Sequence, residues 1–222
     1  MRKSFTVILS SILLITTFAC SASPAAHFAP SDALYFDDFS QNTSGWTVIQ
    51  DENGSARYED NHYRISIEKA DTEYLAEAGQ TFQDDVRIEV DARKVGGPDV
   101  NYLGVMCRYQ DPDNYYLFLI TTDGYSAILM RYNGTLRMIS PGQEFLKMDG
   151  INSGEKLNHL RVDCVGEKLT LYANGTQVSL AYDHTLVGGD VGLMARSSRL
   201  EGGTDIEFDN FAVYDPALAA NP

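Results

Sequence analysis

The sequence predicts an all-β protein made of two packed antiparallel sheets. Three observations carry this expectation. Short runs of alternating apolar and polar residues follow one another at roughly 8–12-residue spacing. The breaks between them are rich in Gly, Asn and Asp, and the chain has 18 Gly in 222 residues. No long stretch repeats its apolar residues at helical spacing.

Fifteen runs read as strands: ALYFDDF, WTVIQ, SARYED, HYRISIEK, EYLAEA, VRIEVDARK, NYLGVMCRYQ, NYYLFLIT, YSAILMRY, TLRMIS, LNHLRVDC, KLTLYAN, TQVSLAY, DVGLMAR and TDIEFDNFAVYD. Alternation names the core side of each. In VRIEVDARK, Val86, Ile88, Val90 and Ala92 share one face, and Arg87, Glu89, Asp91 and Arg93 share the other. Leu103, Val105 and Cys107 point one way on a later run, as do Leu160, Val162 and Cys164. Trp46, the single tryptophan, is expected in the core. EFLKMDG is the one stretch with room for a short helix.

Asn-Gly occurs at 53–54, 133–134 and 174–175, each time followed by Ser or Thr. These match the glycan acceptor pattern, as does Asn42-Thr43-Ser44. Asn-Gly is also the favoured two-residue hairpin turn, because both residues tolerate positive φ. The last two lie between alternating runs, where a hairpin turn is expected. In TDIEFDNFAVYD the apolar phase changes from Ile206 and Phe208 to Phe211 and Val213, so a bulge is expected at Asp209-Asn210.

The chain opens MRKSFTVILSSILLITTFACSAS. A positive start, an uncharged apolar run from Phe5 to Ala19 and small residues after it describe an export signal. Thr17-Phe18-Ala19-Cys20 resembles a bacterial lipobox, which would make Cys20 the lipidated first residue of the mature protein; the alternative is ordinary cleavage nearby with Cys20 discarded. The expected organisation is a signal peptide over 1–19, a lipidated cysteine and flexible linker over 20–33, one β-sandwich domain over 34–215 and an unstructured tail over 216–222. In an exported protein, Cys107 and Cys164 on core faces are expected to form a disulfide; two separate buried thiols are the alternative.

The formal charge is −14. The signal contributes two positive residues and no acids, so the remainder is more acidic still. That excludes a basic nucleic-acid footprint and electrostatic docking on anionic lipid, and leaves a lipid anchor as the expected link to a membrane. The four His show no His-x-x-x-His spacing, so a zinc site has no support.

YFDDFSQNTSGW, CRYQDPDNYYLFLI, LRVDCVGEKLTLYANGTQV, GDVGLMAR and the closing IEFDNFAVYD resemble the concanavalin A-like lectin/glucanase superfamily. The likeness is to its bacterial extracytoplasmic modules related to laminin-G-like and keto-disaccharide-hydrolase-type domains, and it covers about residues 34–215. It implies a jelly-roll sandwich with one concave sheet. Members mostly bind carbohydrate or protein, and some hydrolyse glycosidic bonds.

Hydrolysis needs two carboxyl groups flanking the bond, about 5–5.5 Å or 6.5–9.5 Å apart. Glucanases of the superfamily place them on alternate residues of one strand. Here Glu89 and Asp91 are followed by Arg93 where another acid would be wanted; Asp205, Glu207 and Asp209 also share a face. These are the fallback catalytic sets, and the expectation is no catalysis. No cofactor is expected. The one metal to weigh is calcium, for which Asp37, Asp38 and Asp209 could supply hard oxygens if the first and last strands are neighbours.

The expected ligand is an extracellular glycan. The candidate binding residues are Arg108, Asp111, Asn114, Tyr116 and Arg131, around the turn in CRYQDPDNYYLFLI. Tyrosine rings lie flat against sugar C–H faces, and Arg, Asp and Asn form paired hydrogen bonds with hydroxyls. If Cys107 faces the core, Arg108 is expected on the sheet surface. The structural alternative is a hairpin with an Arg108–Asp111 ion pair. The sequence thus points to a lipid-tethered envelope module that binds carbohydrate, with a glycosidase or a laminin-G-like protein-interaction module as alternatives.

Overall fold

The structure, a computed structural model, describes residues 32–199 and 202–218. The expected signal, Cys20, most of the linker and the last four residues lie outside the described residues. The strands are β1 (Tyr35–Asp37), β2 (Ile49–Asp51), β3 (Gly54–Glu59), β4 (His62–Ile67), β5 (Glu73–Phe82), β6 (Val86–Gly96), β7 (Tyr102–Asp111), β8 (Asn114–Thr121), β9 (Tyr125–Tyr132), β10 (Thr135–Met138), β11 (Leu146–Lys147), β12 (Asn158–Val165), β13 (Lys168–Ala173), β14 (Thr176–Tyr182), β15 (Gly189–Arg196) and β16 (Thr204–Tyr214). All fifteen expected strands are present, and β11 is additional.

Two antiparallel sheets form. One runs β14-β13-β12-β6-β16-β4-β3-β2, with β1 attached to β16, and the other runs β10-β9-β8-β7-β15-β5, with β11 attached to β9. The apolar faces named by alternation meet between them. Ile88, Val90 and Ala92 of β6 and Leu160 and Val162 of β12 belong to one continuous core with Val105 of β7 and Phe118 of β8. Trp46 is buried there, its ring edge-on to Phe211 at 4.8 Å and to Phe39 at 5.3 Å.

Cys107 and Cys164 are joined. Since β7 and β12 lie in different sheets, the bond staples one layer to the other. It closes a separation of 57 residues, for which chain entropy alone gives about 4 kcal/mol.

The turns behave as their chemistry dictates. Asn133-Gly134 and Asn174-Gly175 all take positive φ, between 49° and 81°, and close the β9–β10 and β13–β14 hairpins. In β16, Asp209 is opposite Asp91 while Ala212 is opposite Glu89. One residue is therefore extra, and Asn210 takes the left-handed conformation. The phase change in the sequence is this bulge.

The helix near EFLKMDG does not form. Leu146 and Lys147 pair instead with Ser126 and Tyr125 of β9. The nearest helical turn is Pro141–Gln143. A seven-residue helix would leave most of its terminal N–H and C=O groups unpaired. The edge of β9 beyond the end of β10 offers partners at once.

The outer faces of the two sheets differ. That of the nine-stranded sheet is a lattice of ion pairs, including Arg64–Asp205, Arg93–Glu207 and Arg87–Asp163. That of the seven-stranded sheet is apolar: Met106, Leu117, Leu119, Leu129 and Met194 form a second buried cluster, separate from the inter-sheet core. The sequence signal is the unbroken apolar run in NYYLFLIT, whose strand is buried on both sides.

Candidate functional site

A cleft of about 1070 Å³ opens at one end of the sandwich. Its walls come from six places far apart in the chain. The β5–β6 loop supplies Gln83, Asp84 and Asp85; the β12–β13 turn supplies Gly166 and Glu167; the β14–β15 loop supplies His184, Val187 and Gly188. Arg87 and Arg108 contribute from β6 and β7, and Leu34 and Asp215 flank the first and last strands.

Arg108 is the floor. It is only 5 % exposed, not on the sheet surface as alternation suggested. The cause is a break in β7: Cys107 is opposite Tyr116, but Asp111 is opposite Asn114. Four steps on β7 match two on β8, and Arg108 takes a positive φ of 51° at the break. Its side chain therefore turns into the end of the sandwich. Nη1 donates to the Leu186 carbonyl at 3.1 Å, and Nη2 donates to the Gly166 carbonyl at 2.9 Å and to Asp85 at 3.1 Å. The Arg108–Asp111 ion pair of the structural alternative does not form; Asp85 takes that place.

Tyr116 supports this floor from below. Its hydroxyl donates to Asp183 at 2.6 Å and accepts the Leu186 N–H at 3.1 Å. Burial, reinforced by the bond to Asp183, pushes its pKa up to about 12. Burial acts to raise the Asp183 carboxyl, but the Tyr116 hydroxyl and the Thr185 N–H outweigh it, and its pKa lies below the usual value. The loop carrying Leu186 is thus fastened to β8, and its carbonyl is presented to Arg108. The rim is freer. Among the described residues, Gln83, Asp84, Glu167 and His184 have no side-chain hydrogen bond. The cleft combines two fixed cations, Arg108 and the Asp163-paired Arg87, with unengaged rim groups, over apolar Leu34, Val165 and Val187.

The other candidate binding residues lie elsewhere. Asp111 accepts the Asn114 amide at 2.9 Å and the Asp113 N–H at 2.8 Å, while Asn114 accepts the Asn133 N–H at 3.1 Å. Both lock turns. Arg131 sits on the outer face of the seven-stranded sheet, where Nε donates to the Tyr115 hydroxyl at 2.9 Å. The five residues therefore divide between the cleft end (Arg108, Tyr116) and the far side of one sheet (Arg131), with Asp111 and Asn114 in the hairpin. Asp84, Glu167 and His184 were missed because loops separated by tens of residues carry no common pattern; only the fold assembles them.

The fallback acids share the outer face of the nine-stranded sheet and are engaged there. Asp205 takes Arg64 Nε at 2.8 Å, and Glu207 takes Arg93 Nη2 at 2.7 Å. Asp209 accepts the Asn210 N–H at 2.8 Å. Asp91 lies 2.8 Å from His159 Nδ1 and accepts from Asn210, and Glu89 lies 3.6 Å from His159 Nε2. The first and last strands are neighbours, Asp37 being opposite Phe211. Asp37 accepts the Phe39 N–H at 2.7 Å and Asp38 the Ser40 N–H at 3.0 Å. Among the described residues, no three His, Cys, Asp or Glu side chains are grouped to hold a metal ion.

No protein-family profile matches the chain, and no curated protein does. Solved structures do match. The carbohydrate-binding module CBM66 from Bacillus subtilis is 19 % identical with a TM-score of 0.57, covering 78 % of this chain and 98 % of its own. A Bacillus subtilis protein of unknown function with a galectin-like fold is 11 % identical with a TM-score of 0.60, covering 85 % and 98 %. A Bacillus licheniformis β-glucanase is 10 % identical with a TM-score of 0.59, covering 82 % and 97 %. The fold is the concanavalin A-like jelly roll. At these identities the likeness fixes the architecture of the domain and leaves its activity to the site. In this concanavalin A-like domain the cleft is built by loops at the strand ends, where sequence can vary without disturbing the two sheets.

Proposed function

We propose that this chain is a non-catalytic carbohydrate-binding module of the cell envelope, tethered through Cys20 and taking a sugar unit in the end cleft. The observation that carries it is the buried Arg108, held by two carbonyls and Asp85, beneath the unengaged rim groups Asp84, Glu167 and His184. Sugar hydroxyls present donors and acceptors side by side, and a fixed guanidinium with nearby carboxylates complements them. The resemblance in fold to the CBM66 module, which this chain covers almost end to end, supports the same reading. The inter-sheet disulfide supports export to an oxidising compartment. The acids that a hydrolase of this fold would call on here are committed to Arg64, Arg93, His159 and Asn210, which favours binding without hydrolysis. No cofactor is invoked.

The test is glycan-array binding by the chain from Ser21 onward, followed by calorimetry on the strongest glycan. Asp84→Asn and Glu167→Gln should each weaken binding by about tenfold, the effect of losing one charge-assisted hydrogen bond, while the melting temperature stays put. Binding unchanged in both variants would move the site elsewhere. Release of reducing sugar from any bound glycan would replace the module with a hydrolase.

A further inference from the structure

The sandwich is open along one side, between the last strand of each sheet, β10 in one and β14 in the other. β10 is patterned the wrong way round for an edge strand that closes a core. Its apolar residues, Leu136 and Met138, pack on the outer face of the seven-stranded sheet. Its polar residues, Thr135 and Arg137, are opposite Tyr132 and Met130 of β9, and Met130 belongs to the inter-sheet core. Cross-strand partners share a face, so Tyr132, Thr135 and Arg137 lie on the side that faces the other sheet. That sheet does not cover them. Tyr132 is 42 % exposed, and Tyr182, the last residue of β14, is 62 % exposed. Among the described residues these are the two most exposed aromatic side chains.

Two hollows meet along this side. One of about 390 Å³ is lined by Arg137, Gln143, Tyr182 and Asp183 among others. The next, of about 290 Å³, is lined by Tyr132, Thr135 and again Arg137. Arg137 is their shared wall. Its Nη2 lies 3.7 Å from Asp183, and among the described residues its guanidinium makes no hydrogen bond. The side chains of Tyr132, Thr135, Gln143 and Tyr182 make none either. Asp183, by contrast, is held by the Tyr116 hydroxyl and the Thr185 N–H. Arg137 and Asp183 are the charged residues of the two hollows, and their charges cancel.

We propose that this open side is a second sugar-binding surface, taking the uncharged units of a glycan chain whose neighbouring unit sits in the end cleft. The inference rests on the reading of that cleft as a sugar site. Exposed tyrosine rings offer flat apolar faces to sugar C–H groups, and the Arg137 fork, the Gln143 amide and the Thr135 hydroxyl offer unused donors and acceptors to sugar hydroxyls. A surface whose charges cancel selects for hydroxyls rather than for an ionic group. The two sites adjoin: Asp183 lines the open side, and His184, the next residue, lines the end cleft. The Asp183 N–H also donates to the carbonyl of Glu167 on the cleft rim at 2.8 Å. One loop is therefore the wall between them, and a chain crossing it engages both.

Calorimetry on the chain from Ser21 onward tests this, using the strongest array glycan and its own fragments of one to four units. Affinity should rise at least about tenfold from the one-unit fragment to the longest. Tyr132→Ala, Tyr182→Ala and Arg137→Gln should each remove most of that rise and leave the affinity for the one-unit fragment unchanged. The melting temperature should hold in all three, since these side chains are exposed and make no hydrogen bond. Glu167→Gln should weaken every fragment alike. Equal affinity for one unit and for four would overturn the proposal while the end cleft stands. A rise that survives in all three variants would overturn it too. Binding lost in the three variants but untouched by Asp84→Asn and Glu167→Gln would keep the open side and overturn the end cleft. No binding of any glycan would overturn both.

Discussion

The Tyr116 hydroxyl sits between Asp183, to which it donates at 2.6 Å, and the Leu186 N–H, from which it accepts at 3.1 Å. One oxygen therefore ties the β14–β15 loop to the start of β8. The same loop turns its Leu186 carbonyl to Arg108. Tyr116→Phe removes the oxygen and leaves the buried Leu186 N–H without a partner, at a cost of about 1–3 kcal/mol. Thermal unfolding should show a fall of roughly 2–4 °C per kcal/mol for a domain of this size. Glycan binding should weaken along with it, because Arg108 loses its seat.

Replacing both Cys107 and Cys164 by Ala should lower stability by about 4 kcal/mol, the entropy that the closed loop withholds from the unfolded chain. The oxidised wild type with and without reductant, followed by urea unfolding, measures it. An equal midpoint in both states would mean that the two sheets hold together without the bond.

Gly189 approaches the backbone of Arg108 more closely than any side chain permits. Its φ is +145°, and a Cβ there would lie 2.6 Å from the Arg108 carbonyl carbon and from the Tyr109 oxygen. Gly189→Ala should therefore destabilise the domain by more than about 1 kcal/mol. It should also displace the β7 break on which Arg108 depends. Loss of glycan affinity larger than that seen in Glu167→Gln is the expected signature.

His159 couples the nine-stranded sheet to pH. Burial pulls its imidazole pKa down, but the hydrogen bonds and charges of Asp91 and Glu89 outweigh it and bring the pKa to about 9, against an ordinary 6.5. The folded pKa is raised, so the contribution to stability is complete below pH 6.5 and is lost as pH rises through about 9. Melting temperatures between pH 6.5 and 10 should decline more steeply in the wild type than in His159→Gln. An NMR titration of the imidazole should centre near 9; a midpoint near 6.5 would contradict the cluster geometry.

The layout of the fold was legible because a half-buried strand writes its environment into every second residue. Val86, Ile88 and Val90 named the core face of β6, and the even-to-odd switch between Phe208 and Phe211 located the bulge in β16 to the residue. The site was less legible for the same reason in reverse. Period-two logic placed Arg108 on the surface, and the break after Cys107 turned it inward; no turn residue marks that break, since an arginine occupies the left-handed position. The short helix for which EFLKMDG had room did not form because a sheet edge, invisible in the sequence, stood ready to pair with Leu146 and Lys147. The apolar far face of the seven-stranded sheet was written plainly in NYYLFLIT, as a run with no alternation at all.

The bond between β7 and β12 also sets an order of events. As the chain is made, Cys107 comes first and has no partner sulfur until another 57 residues have followed. Four strands, β8 to β11, lie in that interval and complete their side of the seven-stranded sheet before any partner sulfur is available. The β7–β10 half of one layer can thus pair before any bond forms, whereas β15, which joins β7 to β5, follows Cys164, so oxidation can staple the two layers before the seven-stranded sheet is closed.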